Sequence, residues 1–441
     1  MSEFSIDTEK YLSILNMTNL TKDIGKITQV TGFTLKGFLP GASVGSLCAV
    51  YPTGWASSFF AEVVGFQDRQ VVLMPLGEMR GVGLGSKIEL LRVRATIPAG
   101  PELLGRVMDG MGHAIDGKGD LTTSADRTLY SDVSNPLFRP PIERALSLGV
   151  RAIDGLITVG QGQRVGIMAG SGVGKSVLLG MIARNTSADV NVIALIGERG
   201  KEVREFIEKN LGPEGLKKSV VVVATPDQSP LLRMRAAFLA TSVAEFFCER
   251  GDNVLLMMDS LTRFGMAQRE IGLSTGEPPA QKGYTPSVFS LLPKLLERAG
   301  RFENRGSITG LYTVLVEGDD MDDPIADSVR SIVDGHIVLD RGLAQRGMFP
   351  AIDILQSTSR VMRHIISEEH LHLSLSLREN LAVYREAEDM INIGAYKAGS
   401  NTKIDRAIEL HDSIEHFLKQ EERESSSPSQ TLEFMQRIIE G

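Results

Sequence analysis

Ala169-Gly170-Ser171-Gly172-Val173-Gly174-Lys175-Ser176 is the stretch from which the rest of this 441-residue chain can be read. Arg164 to Met168 before it is a short apolar run of strand type, and Val177 to Ala183 after it is an apolar run of helical type. A Gly-rich loop in that setting turns successive backbone N–H groups inward onto phosphate oxygens, and the helix N-terminus adds positive potential. Gly170, Ser171, Gly172, Val173 and Gly174 are the expected cradle. Lys175 would reach the β- and γ-phosphates, and the Ser176 hydroxyl would ligate Mg²⁺. Ala169 stands where the general pattern has its first Gly, and as the smallest substitute it leaves the loop intact. The loop points to ATP and Mg²⁺ as the ligands.

Outward from the loop, apolar runs alternate with helical segments from about 145 to 345. The expected buried strands are Arg164 to Met168, Val190 to Ile196, Val220 to Ala224, Asn253 to Met258, Ser307 to Val316 and His336 to Leu339. Several are nearly unbroken in Val, Ile and Leu, as strands covered on both faces should be. The fold class is therefore α/β, a parallel doubly wound sheet whose ligand crevice lies at the C-terminal strand ends. Asp259 comes directly after one of these runs. On its own it is a weak signal, but together with the loop upstream it marks the second anchor of a Mg²⁺ water shell. Val192 to Ile196 runs into Gly197-Glu198-Arg199-Gly200, which sets an acid and a base at the same sheet edge. Glu198 reads as the general base or water-positioning group, and equally as a capping glutamate on the helix over Lys201 to Glu208.

Farther out the texture changes. From Gly25 to Val93, short β-rich runs (Lys26 to Val30, Val44 to Val50, Phe59 to Val64, Val71 to Met74 and Ile88 to Val93) predict a small β-barrel. A Gly-rich passage from Met108 to Asp120 leads into the central domain. Beyond about 365 the sequence is helical, with a solvated interruption over Glu424 to Ser429. The expected divisions are 1–22, an N-terminal partner-binding segment; 23–95, the barrel; 96–365, the nucleotide domain; and 366–441, a C-terminal helical domain. A net charge of -8 argues against a nucleic-acid binder, because counterion release needs clustered Lys and Arg. Cys48 and Cys248 are far apart and read as buried small hydrophobes. No signal peptide or membrane-spanning run is evident, so the expectation is a cytoplasmic protein with peripheral membrane association at most. The scattered histidines and the acidic run Glu317, Asp319, Asp320, Asp322 and Asp323 lack metal-site spacing.

Taken together, the loop, Gly197-Glu198-Arg199, the Asp259 strand and Pro350-Ala351-Ile352-Asp353-Ile354-Leu355-Gln356-Ser357-Thr358-Ser359-Arg360 resemble the rotary ATP synthase catalytic-subunit superfamily. The loop and Gly306 to Asp320 look like the type III protein-export ATPases, with the flagellar branch preferred over the virulence injectisome. The resemblance implies a RecA-like P-loop core with an N-terminal β-barrel and a C-terminal helical domain, working as a homo-hexameric ring with ATP between neighbours. By motif it makes Glu198 the catalytic carboxylate, Arg199 its brace and Arg263 another phosphate-side arginine. Spacing alone would make Arg360 a surface residue, whereas the resemblance makes it a finger reaching the neighbouring subunit's site. Phe349 matches an aromatic that stacks on adenine, where the family commonly has Tyr. The implied partners are a stator-like regulator at the N-terminus, export gate and stalk proteins, and export chaperones and substrates. The expected place is peripheral to the inner membrane at the export apparatus.

Three other functions fit the core: a synthase catalytic subunit, a hexameric nucleic-acid translocase, and a non-catalytic nucleotide-binding subunit. The loop start and the tail without a dense acidic segment speak against the first. The few basic residues between Lys26 and Val93 speak against the second, and Glu198 speaks against the third.

Overall fold

The structure is a computed structural model and describes residues 22–54, 57–133, 135–316 and 323–440. The N-terminal segment expected to bind a partner lies outside the described residues, as does the acidic run except Asp323. That aspartate caps the helix Pro324–Ile332 by accepting from the Ile325 and Ala326 N–H groups. The chain divides into two compact units, 1–96 and 97–441.

In the first unit, six strands close a barrel in the order β1-β2-β5-β4-β3-β6: β1 (Ile24–Thr31), β2 (Thr34–Phe38), β3 (Leu47–Tyr51), β4 (Phe59–Gln67), β5 (Gln70–Pro75) and β6 (Lys87–Arg92). Leu35, Cys48, Val50, Ala61, Val63, Leu73 and Ile88 alternate inward and fill it. No apolar run marks β2, because only Leu35 and Phe38 are large and apolar, and the strand is recognised only by its pairing with β1 and β5. Val44, expected to open β3, is 65% exposed and precedes it.

The second unit is built on a sheet whose strands are β7 (Val107–Asp109), β8 (Arg164–Ala169), β9 (Val190–Ile196), β10 (Ser219–Ala224), β11 (Asn253–Asp259), β12 (Ser307–Leu315), β13 (Gly335–Leu339) and β14 (Ile352–Ser359). Their order is β14-β13-β8-β12-β11-β9-β10-β7, with a two-residue strand at Gly300–Arg301 beside β12. Neighbours from β13 to β7 run parallel, and β14 returns antiparallel along β13. Every residue of β9 and β10 is buried, which accounts for their nearly unbroken apolar sequence, interrupted only by Asn191 and Ser219. β7 and β14 escape the sequence reading for opposite reasons. β7 has three residues, and β14 is rich in polar residues (Asp353, Gln356, Ser357, Thr358, Ser359) because it lies at the sheet edge.

Three helices come after the sheet: Glu368–Asn392, Thr402–Leu418 and Pro428–Glu440. Leu373, Leu377, Ile414, Phe417 and Met435 join the same apolar cluster as Ile153 and Leu156 of the short helix Arg151–Leu156. Full burial of a side chain such as Phe417 stabilises by about 1.5–3 kcal/mol, so these helices are held to the nucleotide core. The interruption between the last two helices is only partly solvated. Ser426 is buried and Glu424 pairs with the Arg151 guanidinium, because the chain must turn back over the helix that Arg151 begins. Cys48 and Cys248 are buried free thiols, pushed up to about 12 by burial first.

Candidate active site

The register of the sheet sets the site. Ala169 lies opposite both Leu315 and Leu339, Leu195 opposite Asp259, and Ile196 opposite Ala224. The parallel strands therefore end at one edge, and the segments that leave those ends line a cleft of about 740 Å³. Gly170, Ser171, Gly172, Gly174, Lys175 and Ser176 form one wall. Val173 is 1% exposed and anchors the loop in the core. Gly172 and Gly174 have φ of 79° and 87°, a left-handed backbone that only glycine adopts at little cost. Gly174 opens the eleven-residue helix Lys175–Asn185, whose first-turn amides have no side-chain cap. Their unmet donors and the helix dipole make this an anion site.

Lys175 Nζ donates to Asp259 Oδ1 and stands 3.6 Å from Glu198 Oε1. Asp259 is 4% exposed, and its Oδ1 also accepts from the Thr313 hydroxyl at 2.7 Å. Glu198 is pushed up to about 7, by burial first and then by the charge of Asp259, with Lys175 opposing. It does not cap the helix after it. That helix begins at Gly200, and Glu202 accepts from the Arg199 N–H at 3.3 Å. Glu198 instead shares a hydrogen bond with the Glu202 side chain and presents a half-desolvated carboxyl to the Gly-rich loop.

Arg263 lines the cleft from the helix Leu261–Ser274, with its Nε buried and without a hydrogen-bond partner among the described residues. Its stem packs on Gly197, where an added Cβ would come within 2.9 Å of Arg263 Cβ. Arg199 also lines the cleft, but its side chain is 82% exposed and its ionic partner is Glu202 at 3.9 Å, not Glu198. Phe349 is 46% exposed and lies against the loop, its Cδ1 3.4 Å from where a Gly174 Cβ would be.

Arg360 stands apart from these residues. It comes directly after β14, which begins opposite Leu339 at the cleft edge and ends opposite Gly335 at the other edge. Four to five residues of strand put Arg360 about 15 Å from its own chain's loop. Sequence reasoning missed Thr313, Glu202 and Arg341. Arg341 lines the cleft just after a strand end, the same position that drew attention to Glu198, and Glu202 lines it from the first turn of the helix Gly200–Glu205. Thr313 is one of several hydroxyl residues in the strand beside the Asp259 strand, with nothing local to single it out.

Among the described residues no three His, Cys, Asp or Glu side chains cluster as a metal cage. The donors present are hard oxygens, the Ser176 hydroxyl and the Asp259 carboxylate, which suit a Mg²⁺ that takes its other ligands from phosphate and water. No helix of the described residues is long and apolar enough to cross a membrane.

Residues 149–359 match the nucleotide-binding domain of the ATP synthase alpha/beta family, and residues 366–437 match the C-terminal domain of the type III secretion ATPase EscN. The flagellum-specific ATP synthase of Bacillus subtilis (strain 168) is 52% identical over 94% of each chain. The type 3 secretion system ATPase of Sinorhizobium fredii is 48% identical over 94% of this chain and 92% of that protein. Among solved structures, assembled EscN from the type III secretion system of enteropathogenic E. coli aligns at a TM-score of 0.89 and 45% identity, over 94% of this chain and all of that one. EscN in complex with its central stalk EscO aligns at 0.87. With half of its residues shared over nearly its whole length, this chain belongs to the ATP synthase alpha/beta family, among the ATPases of flagellar and type III secretion systems.

Proposed function

We propose that the chain hydrolyses ATP with Mg²⁺ to energise type III protein export, in the flagellar branch, as a homo-hexameric ring with its sites between subunits. The observation that carries this is the division of charged groups between two sheet edges: Lys175, Glu198 and Asp259 converge on the loop, while Arg360 sits at the opposite edge. A finger so placed serves a neighbour's cleft.

In the cleft Lys175 pairs with Asp259. Triphosphate on the loop draws Lys175 to the β- and γ-oxygens, which frees Asp259 to join Ser176 at the metal. Bound Mg²⁺ supplies charge neutralisation of the phosphates. Glu198 holds the attacking water and takes its proton; a carboxyl tuned near 7 suits that work at neutral pH. Arg263 faces the same space with donors to spare. Phe349 offers an aromatic face for adenine, and Arg199, extended and exposed, is positioned by its neighbour only on assembly. The 52% identity to a flagellum-specific relative against 48% to a virulence relative supports the flagellar branch. By analogy with assembled EscN and its stalk, the ring takes a central stalk protein. The N-terminal segment serves a stator-like regulator, the tail helices meet chaperones and substrates, and the ring sits peripherally at the inner membrane beside the export gate.

The test mixes two inactive variants, Arg360→Ala and Lys175→Ala. In a head-to-tail ring, about one interface in four then pairs an intact loop with an intact finger. Recovery of roughly that fraction of native ATPase activity, growing with protein concentration, supports sites shared between subunits. A mixture as inactive as its parts, or an active Arg360→Ala protein, removes the finger.

A further inference from the structure

Gln420 lies just past the helix Thr402–Leu418, outside every motif of the nucleotide site, and is 5% exposed. Its backbone N–H and its side-chain amide are all engaged. Its backbone N–H donates to the Phe349 carbonyl at 3.0 Å. Its side-chain Oε1 accepts from the Arg151 N–H at 2.8 Å, and its Nε2 donates to the carbonyls of Gly149 at 2.9 Å and Glu424 at 3.0 Å. One N–H and two carbonyls fix the amide in a single orientation; a flipped amide or a carboxylate would set oxygen against oxygen.

The turn that Gln420 holds, 419–424, touches both ends of the loop's support. At one end is Phe349, whose ring lies against Gly174. At the other is the far end of the loop helix, where Asn185 Nδ2 donates to the Glu424 carbonyl at 3.4 Å and Arg184 donates to that of Glu422 at 2.5 Å. Phe349 is half exposed, and its carbonyl is tied to the backbone N–H of the turn that Gln420 holds. We infer that Gln420 is a positioning residue: it sets the height of the Phe349 ring over the phosphate loop and so governs affinity for the base of the nucleotide. This rests on the reading of Phe349 as the base-stacking residue.

The experiment compares ATP with inorganic tripolyphosphate, which carries the phosphates without a base, on the full chain. Inhibition constants are measured for tripolyphosphate and KM for ATP, in Gln420→Ala, Gln420→Glu, Phe349→Ala and the double variant Phe349→Ala/Gln420→Ala. Base stacking on an aromatic side chain is worth about tenfold or more in affinity. Phe349→Ala is therefore expected to raise KM for ATP by at least about tenfold with tripolyphosphate binding kept. Both Gln420 variants should raise KM severalfold, by more than they lower kcat, again with tripolyphosphate binding kept. In the double variant the Gln420 change should add nothing, since its effect passes through the missing ring. Retained tripolyphosphate binding also shows that the variants fold; if Gln420→Ala does not, Gln420→Asn withdraws the amide more gently. ATP affinity untouched in the Gln420 variants while Phe349→Ala loses it overturns the positioning role alone. ATP affinity untouched in Phe349→Ala overturns the stacking reading, and the inference with it. Equal losses for ATP and tripolyphosphate in the Gln420 variants make Gln420 a general brace of the loop and also overturn the inference.

Discussion

Thr313→Val exchanges a hydroxyl for a methyl of nearly the same volume in the middle of the sheet, where Thr313 is 0% exposed. No cavity opens, so the change removes only the hydroxyl's hydrogen bonds, chiefly that from Oγ1 to Asp259 Oδ1 at 2.7 Å, with the Met258 carbonyl a longer second partner at 3.3 Å. A hydrogen bond to a charged group contributes about 1.5–3 kcal/mol, and a buried acceptor deprived of it bears the desolvation cost as well. Asp259 is left with Lys175 alone, the partner that triphosphate is proposed to take from it. The carboxylate then meets the metal unoriented, and loss of such an outer partner typically costs about 10–100-fold in metal affinity. The assay titrates Mg²⁺ against ATPase rate at fixed ATP for the native chain, Thr313→Ser and Thr313→Val. Thr313→Ser keeps the donor and should stay within about threefold of native. Thr313→Val should need about ten times more Mg²⁺ or beyond for half its maximal rate. If Thr313→Val titrates like the native chain, or both variants are equally impaired, Thr313 does not orient the metal's carboxylate.

Gly197→Ala places a Cβ at φ 69° and 2.9 Å from Arg263 Cβ, so backbone strain of about 1–2 kcal/mol and a displaced Arg263 should lower both melting temperature and kcat. Gly200→Ala, with open space around it, is the control that should change neither by much. Arg151→Met removes donors to the Phe417 and Lys419 carbonyls and the partner of Glu424; a loss of about 3 kcal/mol should appear as faster proteolysis within the last three helices. Burial lifts the Asp154 carboxyl from 3.8 to about 6, against hydrogen bonds from Leu148, Gly149 and Ser147. Between those values the folded chain binds a proton that the unfolded chain has released, so stability from this group falls as pH rises from about 4 to 6 and is flat above. Denaturation midpoints of the native chain minus those of Asp154→Asn should show that slope, and a difference independent of pH contradicts it.

What could be read from the sequence is what local chemistry dictates. The loop announces itself because Gly172 and Gly174 must take positive φ, and the buried strands do so because both faces exclude polar residues. Glu198 is ambiguous in the sequence since a carboxylate after a strand serves a cleft or a helix start equally well; the structure shows that Glu202 takes the place at the helix start. The sequence could not show β2 or β14, whose residues are strand-forming only once neighbours pair with them. Thr313 and Gln420 are hidden for a related reason. Each reaches the site through a contact to a residue 54 or 71 positions away (Asp259; Phe349), and sequence spacing carries no record of such contacts. Arg360 is assigned by resemblance, and the sheet register sets it at the opposite edge from its own chain's loop, about 15 Å away.

The pairing of Lys175 with Asp259 and Glu198 has a further consequence for a machine that must repeatedly give up its product. A half-buried cleft with a bare lysine would be an unstable intermediate, and each departure of nucleotide would have to bear the cost of an uncompensated cation. With Asp259 and Glu198 within reach of Lys175, the proposed mechanism would let these carboxylates take over as phosphate leaves. Each turnover would then exchange one set of counter-ions for another around the same cation.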